Sequence, residues 1–195
     1  MANILTKRRE PYEFMLWTGI VGTCIIFLFL AGAYLARKGT VGWVDFSLPR
    51  AFGVSTFFML ASSYTLHVAN KCFVKDEYFA YRYMLGTTLV LGLVFAGSQY
   101  WGWHQLEKQG LPFMNGKVSG SFVYVLSGAH LAHLLGGLIA LLWVFITSVR
   151  RTNYVDSFIY AVNAPNIRRL RLVTIYWQFL DFIWVLLYCF LSYHH

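Results

Sequence analysis

The stretch LSGAHLAHLLGGLIALLW runs from Leu126 to Trp143 and decides the fold class of this chain. It belongs to a longer run, Val118 to Val149, that contains no Asp, Glu, Lys or Arg. A transmembrane helix needs about 20 mainly apolar residues, so this run is long enough to cross a bilayer with a tilt. It also carries two imidazoles, His130 and His133, whose role in an apolar segment has to be explained.

The composition agrees with a membrane protein. Of the 195 residues, 58% are hydrophobic and only 12% are charged. Soluble domains carry about 25% charged residues, so lipid is the predicted surrounding of most of this chain. The net charge of +8 is attributed to orientation in the membrane and not to a nucleic-acid partner. The three cysteines lie far apart without metal-ligand spacing, and no cleavable signal peptide is indicated.

Cutting the chain at its charged residues gives five apolar runs. The predicted spans are approximately residues 14–36, 51–70, 83–106, 118–149 and 172–193. All four prolines fall outside these runs or at their edges, so the helix interiors keep their backbone hydrogen bonds. The alternating polarity that is typical of barrel strands is missing. The sequence therefore predicts an all-α integral membrane bundle of five transmembrane helices, with residues 1–195 as a single membrane domain.

The basic residues predict the orientation of the bundle. The N-terminal segment and the second and fourth loops together carry eleven Lys and Arg residues, whereas the first and third loops carry five. Because Lys and Arg accumulate on the cytoplasmic side, the side with eleven is predicted to be cytoplasmic. The N-terminus is then inside and the C-terminus outside.

Four ionisable groups lie within the predicted spans: His67, His130, His133 and Asp181. A charged group at the centre of a membrane helix costs about 3 kcal/mol or more, so each of these groups needs a partner or a role. His130 and His133 are three residues apart and share one helix face. Asp181 is the only carboxylate among them, and its predicted depth is close to that of His133. We therefore predict an Asp181–imidazole contact.

Several roles remain open for these groups on the residues alone. His67 and His130 on facing helices would suit a bis-His haem b. A metal site would need more ligands than the spans offer, and a proton path would need more carboxylates than the single Asp181. A hydrogen-bonded polar cluster that locks helices together is favoured. The glycines around the histidines would let a neighbouring helix approach closely: Gly128, Gly136 and Gly137. The aromatic stripe around Asp181 is interpreted as packing: Trp177, Trp184 and Tyr188.

The fifth predicted span reads YWQFLDFIWVLLY from Tyr176 to Tyr188. It resembles the last helix of subunit III of the haem–copper oxidases, whose pattern is approximately Y-W-H-F-V-D-x-x-W. The matching residues are Tyr176, Trp177, Phe179, Asp181 and Trp184. Gln178 replaces the usual histidine, so a role specific to that histidine is not carried over.

Three more spans resemble the same family in order. SGAHLAHLLGG is similar to its T/S-G-x-H-x-x-H-x-x-x-G pattern, with Gly128, His130, His133 and Gly137 in place. STFFMLASSYT, from Ser55 to Thr65, resembles S-T-x-x-x-x-x-S-S, and LGLVFAGSQYW, from Leu91, resembles L-G-x-x-F-x-x-x-Q with Gln99 in place. The first span departs, since Gly22 and Thr23 stand where the family carries a Ser-Glu pair. A proton-related role of that carboxylate is therefore not carried over.

The resemblance implies a non-redox accessory subunit of the short five-helix bacterial form. In this family, subunit III holds no haem or copper and packs against subunit I, which carries the redox centres, reduces oxygen to water and pumps protons. The chain would then have no catalytic centre, metal or cofactor of its own. It would lie in the bacterial inner membrane with subunit I, subunit II and small subunits, and hold phospholipids in a helical cleft.

The resemblance also gives roles to particular residues. The predicted structural or lipid-cleft polar residues are His130, His133, Asp181, Gln99, Gln178, Tyr176, Trp177 and Trp184. Cytochrome c is the first choice of electron donor and quinol the second. The alternatives are a subunit III-like protein of a quinol oxidase or nitric oxide reductase, a stand-alone bis-His haem-b membrane protein, and a small transporter. A transporter would predict discontinuous helices or an internal repeat, and neither is visible.

Overall fold

A computed structural model describes residues 11–113, 117–151, 157–158 and 163–195 of the chain. Its five long helices are α1 (Pro11–Arg37), α2 (Arg50–Val74), α3 (Tyr78–Lys108), α4 (Val118–Val149) and α5 (Ala164–His194). No strand occurs in the part of the chain described. The prediction of an all-helical fold is confirmed.

The helices contain the predicted spans but most extend beyond them. α4 has the predicted bounds, whereas α2 continues past Lys71, α3 begins before Arg82, and α5 begins well before Leu172. Lys and Arg end an apolar run, but they are good helix formers and do not end a helix. The helices therefore extend beyond the apolar runs at these ends.

Four of the five helices are long and apolar enough to cross a membrane, namely α1, α3, α4 and α5. The chain is thus a multi-pass membrane protein. α2 has 25 residues but does not meet this measure of apolar composition, so the second predicted span is not among these four. The polar side chains of α2 bond to α3 and α5.

Helices α2 to α5 form a closed ring. α2 packs against α3 and α5, and α4 packs against the same two helices. α1 lies outside this ring and packs on α4 and α5. Most of its large apolar side chains are exposed, including Trp17, Leu28 and Phe29. The core is therefore that of a four-helix bundle to which α1 is added.

Glycines allow the closest helix contacts, as predicted for Gly137. A Cβ atom at Gly137 would lie 2.9 Å from Cδ1 of Leu180, so α4 and α5 meet there without room for a side chain. Gly128 and Gly136 are less tight, with the nearest side-chain atoms at 3.9 Å from a built Cβ. Gly92, the glycine of the third-span pattern, is tighter still, since a Cβ there would lie 2.8 Å from Cη2 of Trp177.

The last residues of the described chain attach to α1. The Tyr34 hydroxyl lies 2.8 Å from Nε2 of His195, and the Lys38 Nζ lies 2.8 Å from Nδ1 of His194. The His195 ring packs 4.0 Å from the ring of Phe46, between centroids. Burial lowers the pKa of His195 to about 4, and the charge of Lys38 lowers it further, while Asp45 opposes the shift.

This arrangement predicts a pH-dependent attachment of the α5 end. An undocked histidine titrates near pH 6.5, so it takes up a proton before the docked one does. Stability from this contact is therefore complete above about pH 6.5 and is lost as the pH falls towards 4. We expect the thermal midpoint of the detergent-solubilised chain to fall more between pH 7 and pH 5 than that of His195→Phe. Equal losses in the two proteins would contradict the prediction.

Candidate functional site

Two buried tryptophans of α5 donate hydrogen bonds to hydroxyls of α2. Trp177 Nε1 lies 3.1 Å from Ser62 Oγ, and Trp184 Nε1 lies 3.0 Å from Thr56 Oγ1. Both indole rings are fully buried. A buried indole N–H needs an acceptor, so the two hydroxyls set the register of α2 on α5. Trp177 and Trp184, two members of the predicted aromatic stripe, thus pack between helices.

Hydroxyls of α2 also bind α3. Gln99 Nε2 donates to Ser55 Oγ over 2.9 Å, and the Thr65 and Thr88 hydroxyls lie 2.8 Å apart. Gln99 is fully buried. Ser55 is thus the hydrogen-bond partner of Gln99, a predicted polar residue, and the sequence did not identify this partner. The sequence does contain a signal for a polar face of α2, because Ser55 and Ser62 are seven residues apart and therefore lie on one side of the helix.

The two histidines of α4 have different surroundings. His130 is fully buried, with its ring 5.1 Å from that of Trp184 and 5.8 Å from that of Phe95, between centroids. Neither ring nitrogen has a hydrogen-bond partner within the described residues. His130 is therefore held by aromatic packing between α3, α4 and α5.

His133 is half-buried and bonds its own helix. Its Nδ1 donates to the carbonyl of Ala129 over 2.7 Å, and its ring lies 5.9 Å from that of Phe27 on α1. Tyr176 donates its hydroxyl to the carbonyl of His133 over 3.1 Å. The predicted polar residue Tyr176 thus joins α5 to α4 through the backbone of His133 and not through its ring.

The predicted Asp181–imidazole contact is wrong. Asp181 is buried, but neither of its carboxylate oxygens has a hydrogen-bond partner in the described ranges. His104 and Glu107, near the end of α3, form the one acid–base pair within 4.0 Å among these residues. The predicted depth of Asp181 agrees with the structure. Its neighbours on α5 are Leu180, which lies opposite Gly137 of α4, and Trp184, which lies opposite His130 of α4.

The error lies in the direction of the side chain. Successive residues of a helix are turned by about 100°, so Asp181 and Leu180 point to different neighbours. Leu180 faces α4, whereas Asp181 shares its side of α5 with Trp177 and Trp184, whose indoles bond to α2. The depth of Asp181 in the membrane can be predicted by counting residues along the span. The rotation of α5 about its own axis cannot be predicted in this way.

A double-mutant cycle tests this correction. We expect the free-energy changes of Asp181→Asn and His133→Gln to add within about 0.5 kcal/mol, because side chains without a shared partner act independently. The measurement is an unfolding titration in SDS of the full chain and of the three variants. A coupling energy well above 1 kcal/mol would restore the direct contact.

The residues suggested for a haem do not converge. His67 is exposed on α2, whereas His130 is enclosed between α3, α4 and α5. Within the described chain no three His, Cys, Asp or Glu side chains are grouped so that they could hold a metal ion. The buried hydroxyl, indole and amide groups described above join helices, whereas His130 and Asp181 have no hydrogen-bond partner in the described part of the chain.

The fold and these contacts define a helical membrane protein whose interior is cross-linked by hydroxyl, indole and amide groups. No family model matches the chain. It is 31% identical to the probable quinol oxidase subunit 3 of Staphylococcus epidermidis, over 69% of this chain and 62% of that protein. It is also 31% identical to the corresponding Staphylococcus aureus protein, over 73% of this chain and 66% of that one.

A third relative is matched over a greater length. The cytochrome c oxidase subunit 3 of Bacillus sp. (strain PS3) is 26% identical, over 88% of this chain and 80% of that protein. The chain belongs to the subunit III family of the haem–copper oxidases. It spans slightly less than two thirds of the length of the two staphylococcal relatives.

Proposed function

We propose that this chain is a non-redox accessory subunit III of a respiratory haem–copper terminal oxidase. The observation that supports this most directly is its similarity to subunit 3 of two kinds of oxidase. The complex would reduce oxygen to water and translocate protons, and its haems and copper would lie in partner subunits. This chain would contribute no catalytic centre.

The proposed topology has five transmembrane helices with the N-terminus in the cytoplasm. α2 would be the second span, since its 25 residues rise about 37 Å along the axis, more than the hydrocarbon thickness of about 30 Å. Its polarity is no obstacle, because Ser55, Thr56, Ser62 and Thr65 bond to neighbouring helices and not to lipid. The membrane would be the inner membrane of a bacterium.

The mechanical role would be to support subunit I. A ring of helices fixed by interhelical hydrogen bonds presents a rigid outer surface, and such bonds are a main source of helix association in lipid. Gln99, Trp177, Trp184 and Tyr176 would fix the helix positions, while His130 would fill the centre as a packed ring. Bound phospholipids would complete the outer surface.

The electron donor divides the proposal into two forms. Relatives named for quinol oxidase and for cytochrome c oxidase both match, so cytochrome c and quinol are both compatible with the chain. A nitric oxide reductase would be a third setting. The stand-alone haem-b alternative loses support, because His67 and His130 do not face a common space.

A reduced-minus-oxidised visible spectrum of the tagged chain, purified in mild detergent with its partners, tests the proposal. We expect haem bands on a larger co-purifying membrane subunit. Oxidation of reduced cytochrome c or of a quinol by the purified complex would then separate the two forms of the proposal. A haem band that stays with this chain after its partners are removed would overturn the proposal.

A further inference from the structure

A cavity of about 350 Å³ lies at one end of the bundle, where α3 ends and α4 begins. Small-molecule sites in proteins start at about 300 Å³, so this volume suits a small ligand or a ligand headgroup. We call it the aromatic cavity. The described residues that line it are Tyr100, Trp103, His104 and Glu107 of α3, Phe113 of the following loop, and Tyr124 of α4.

Helical spacing brings the α3 side chains to the aromatic cavity. The four of them follow the pattern i, i+3, i+4, i+7, which places them on one face of the helix. Tyr124 reaches the cavity from α4, with its ring centroid 6.1 Å from that of Trp103 and 5.7 Å from that of Phe113. The rings are inclined to that of Tyr124 by 42° and 64°, so they form separate walls and not a stack.

Two of these rings are fixed by hydrogen bonds inside the protein. Trp103 Nε1 donates to Ser127 Oγ over 2.9 Å, and the Tyr124 hydroxyl donates to the Trp103 carbonyl over 3.0 Å. Tryptophan and tyrosine at a membrane interface ordinarily keep their polar ends for water and headgroups. Here both polar ends are used within the protein, so the two rings offer the cavity their aromatic surface.

The aromatic cavity is acidic, although the chain as a whole carries a net charge of +8. Glu107 is the one acid among the described lining residues, and none of them is Lys or Arg. His104 Nδ1 lies 3.5 Å from Oε2 of Glu107, and the two side chains are 55% and 54% exposed. A contact of this length between exposed groups is weak, so the Glu107 carboxylate is available to a second partner.

The chemistry of this lining selects among ligands. An anion would be repelled by Glu107, and a metal ion would find only His104 and Glu107 as ligands among the described residues. A cation that carries its own apolar surface meets both requirements, because it is attracted by aromatic faces within about 6 Å and by the carboxylate. Tryptophan is the strongest of the aromatic partners.

We propose that the aromatic cavity binds an organic ammonium group, held against Trp103, Tyr124 and Phe113 and close to Glu107. The inference goes beyond the proposed function, because it concerns a ligand of this chain and not its place in a complex. The cavity lies near the end of the apolar run 83–106, at the depth of lipid headgroups. The ammonium group therefore belongs either to a headgroup or to a free small molecule, and the chemistry of recognition is the same.

Calorimetric titration of the full chain in dodecyl maltoside, a detergent with an uncharged headgroup, tests the site. Choline chloride is one ligand, and the other is its neutral isostere dimethylbutanol, in which carbon replaces the nitrogen. We expect saturable binding of choline that is about tenfold tighter than that of the isostere, because only choline has the charge. Equal affinities, or no saturable binding of millimolar choline, would overturn the inference.

Two variants locate the binding at this cavity. Glu107→Gln removes the charge and Phe113→Leu removes one aromatic wall, and both side chains are more than half exposed, so the helices should be retained. We expect each variant to bind choline about three- to fivefold more weakly. The matched controls are Glu77→Gln and Phe79→Leu, exposed at the opposite end of α3, and they should not change the affinity. Unchanged affinity in both cavity variants would contradict the assignment.

The source of the ammonium group is found in lipid nanodiscs. Choline is titrated into the full chain in discs of phosphatidylglycerol and in discs that also contain phosphatidylethanolamine. Weaker choline binding in the second kind of disc would identify the lipid headgroup as the ligand, because its ammonium group competes for the cavity. The same affinity in both would identify a free small ammonium compound. Failure of choline to bind in either kind of disc would refute the site.

Discussion

Trp177→Ala is expected to destabilise the chain by about 3 kcal/mol or more, the largest effect of any single truncation in the bundle. Trp177 is fully buried where α2, α3, α4 and α5 meet. Its ring fills the space beside Gly92 and Gly137, and its Nε1 bonds Ser62. Its removal leaves a large cavity at a point that all four helices share, and helix association in lipid depends on such packing.

Two further variants separate packing from polarity at this position. Trp177→Phe removes the N–H and part of the ring, so it should cost about 1–3 kcal/mol. The Ser62 hydroxyl loses its donor from α5 but still donates to the Met59 carbonyl. Trp101→Ala, at a position 52% exposed on α3, should have little effect on the bundle. SDS unfolding titrations of the full chain give the three free energies. A loss in Trp101→Ala as large as that in Trp177→Ala would refute the central role of Trp177.

Much of the helical architecture follows from the sequence because it depends on composition alone. Uncharged runs of the length of Val118 to Val149 require helices in lipid, and the prolines that flank such runs mark their ends. Composition alone does not predict α2 in the same way. Its serines and threonines make it polar by composition, and only the contacts with Gln99, Trp177 and Trp184 show why that polarity is tolerated.

The candidate site was less predictable because it depends on how each helix is rotated. The sequence singled out Asp181, His130 and Trp184, and these side chains do lie at neighbouring levels. The sequence pattern predicts an imidazole as the partner of Asp181 on chemical grounds, whereas the rotation of α5 places this carboxyl on the side of the helix whose tryptophans bond to α2. His130 meets two aromatic rings instead. A hydropathy pattern indicates how deep a residue lies in the membrane. It indicates how a helix is rotated about its axis only where one face of the helix is clearly more polar.

Gly92→Ala is expected to destabilise the bundle by about 1–3 kcal/mol, although alanine is the better helix former. The added methyl group would lie 2.8 Å from Cη2 of Trp177 and 3.0 Å from Cδ2 of Leu138. Both neighbours are buried, and the indole is also held by its bond to Ser62. The ring cannot move away without breaking that bond or pushing on α4.

Gly97→Ala is the matched control for this effect, because Gly97 lies on the same helix and a Cβ there would meet nothing within 4 Å. It should be neutral or slightly stabilising, as expected from helix propensity alone. Thermal midpoints of the two variants and the parent chain in the same detergent make the comparison. If Gly92→Ala were as stable as Gly97→Ala, the close contact of α3 with Trp177 would be wrong. The combined variant Gly92→Ala with Trp177→Phe should recover part of the loss, since the smaller ring leaves room for the methyl group.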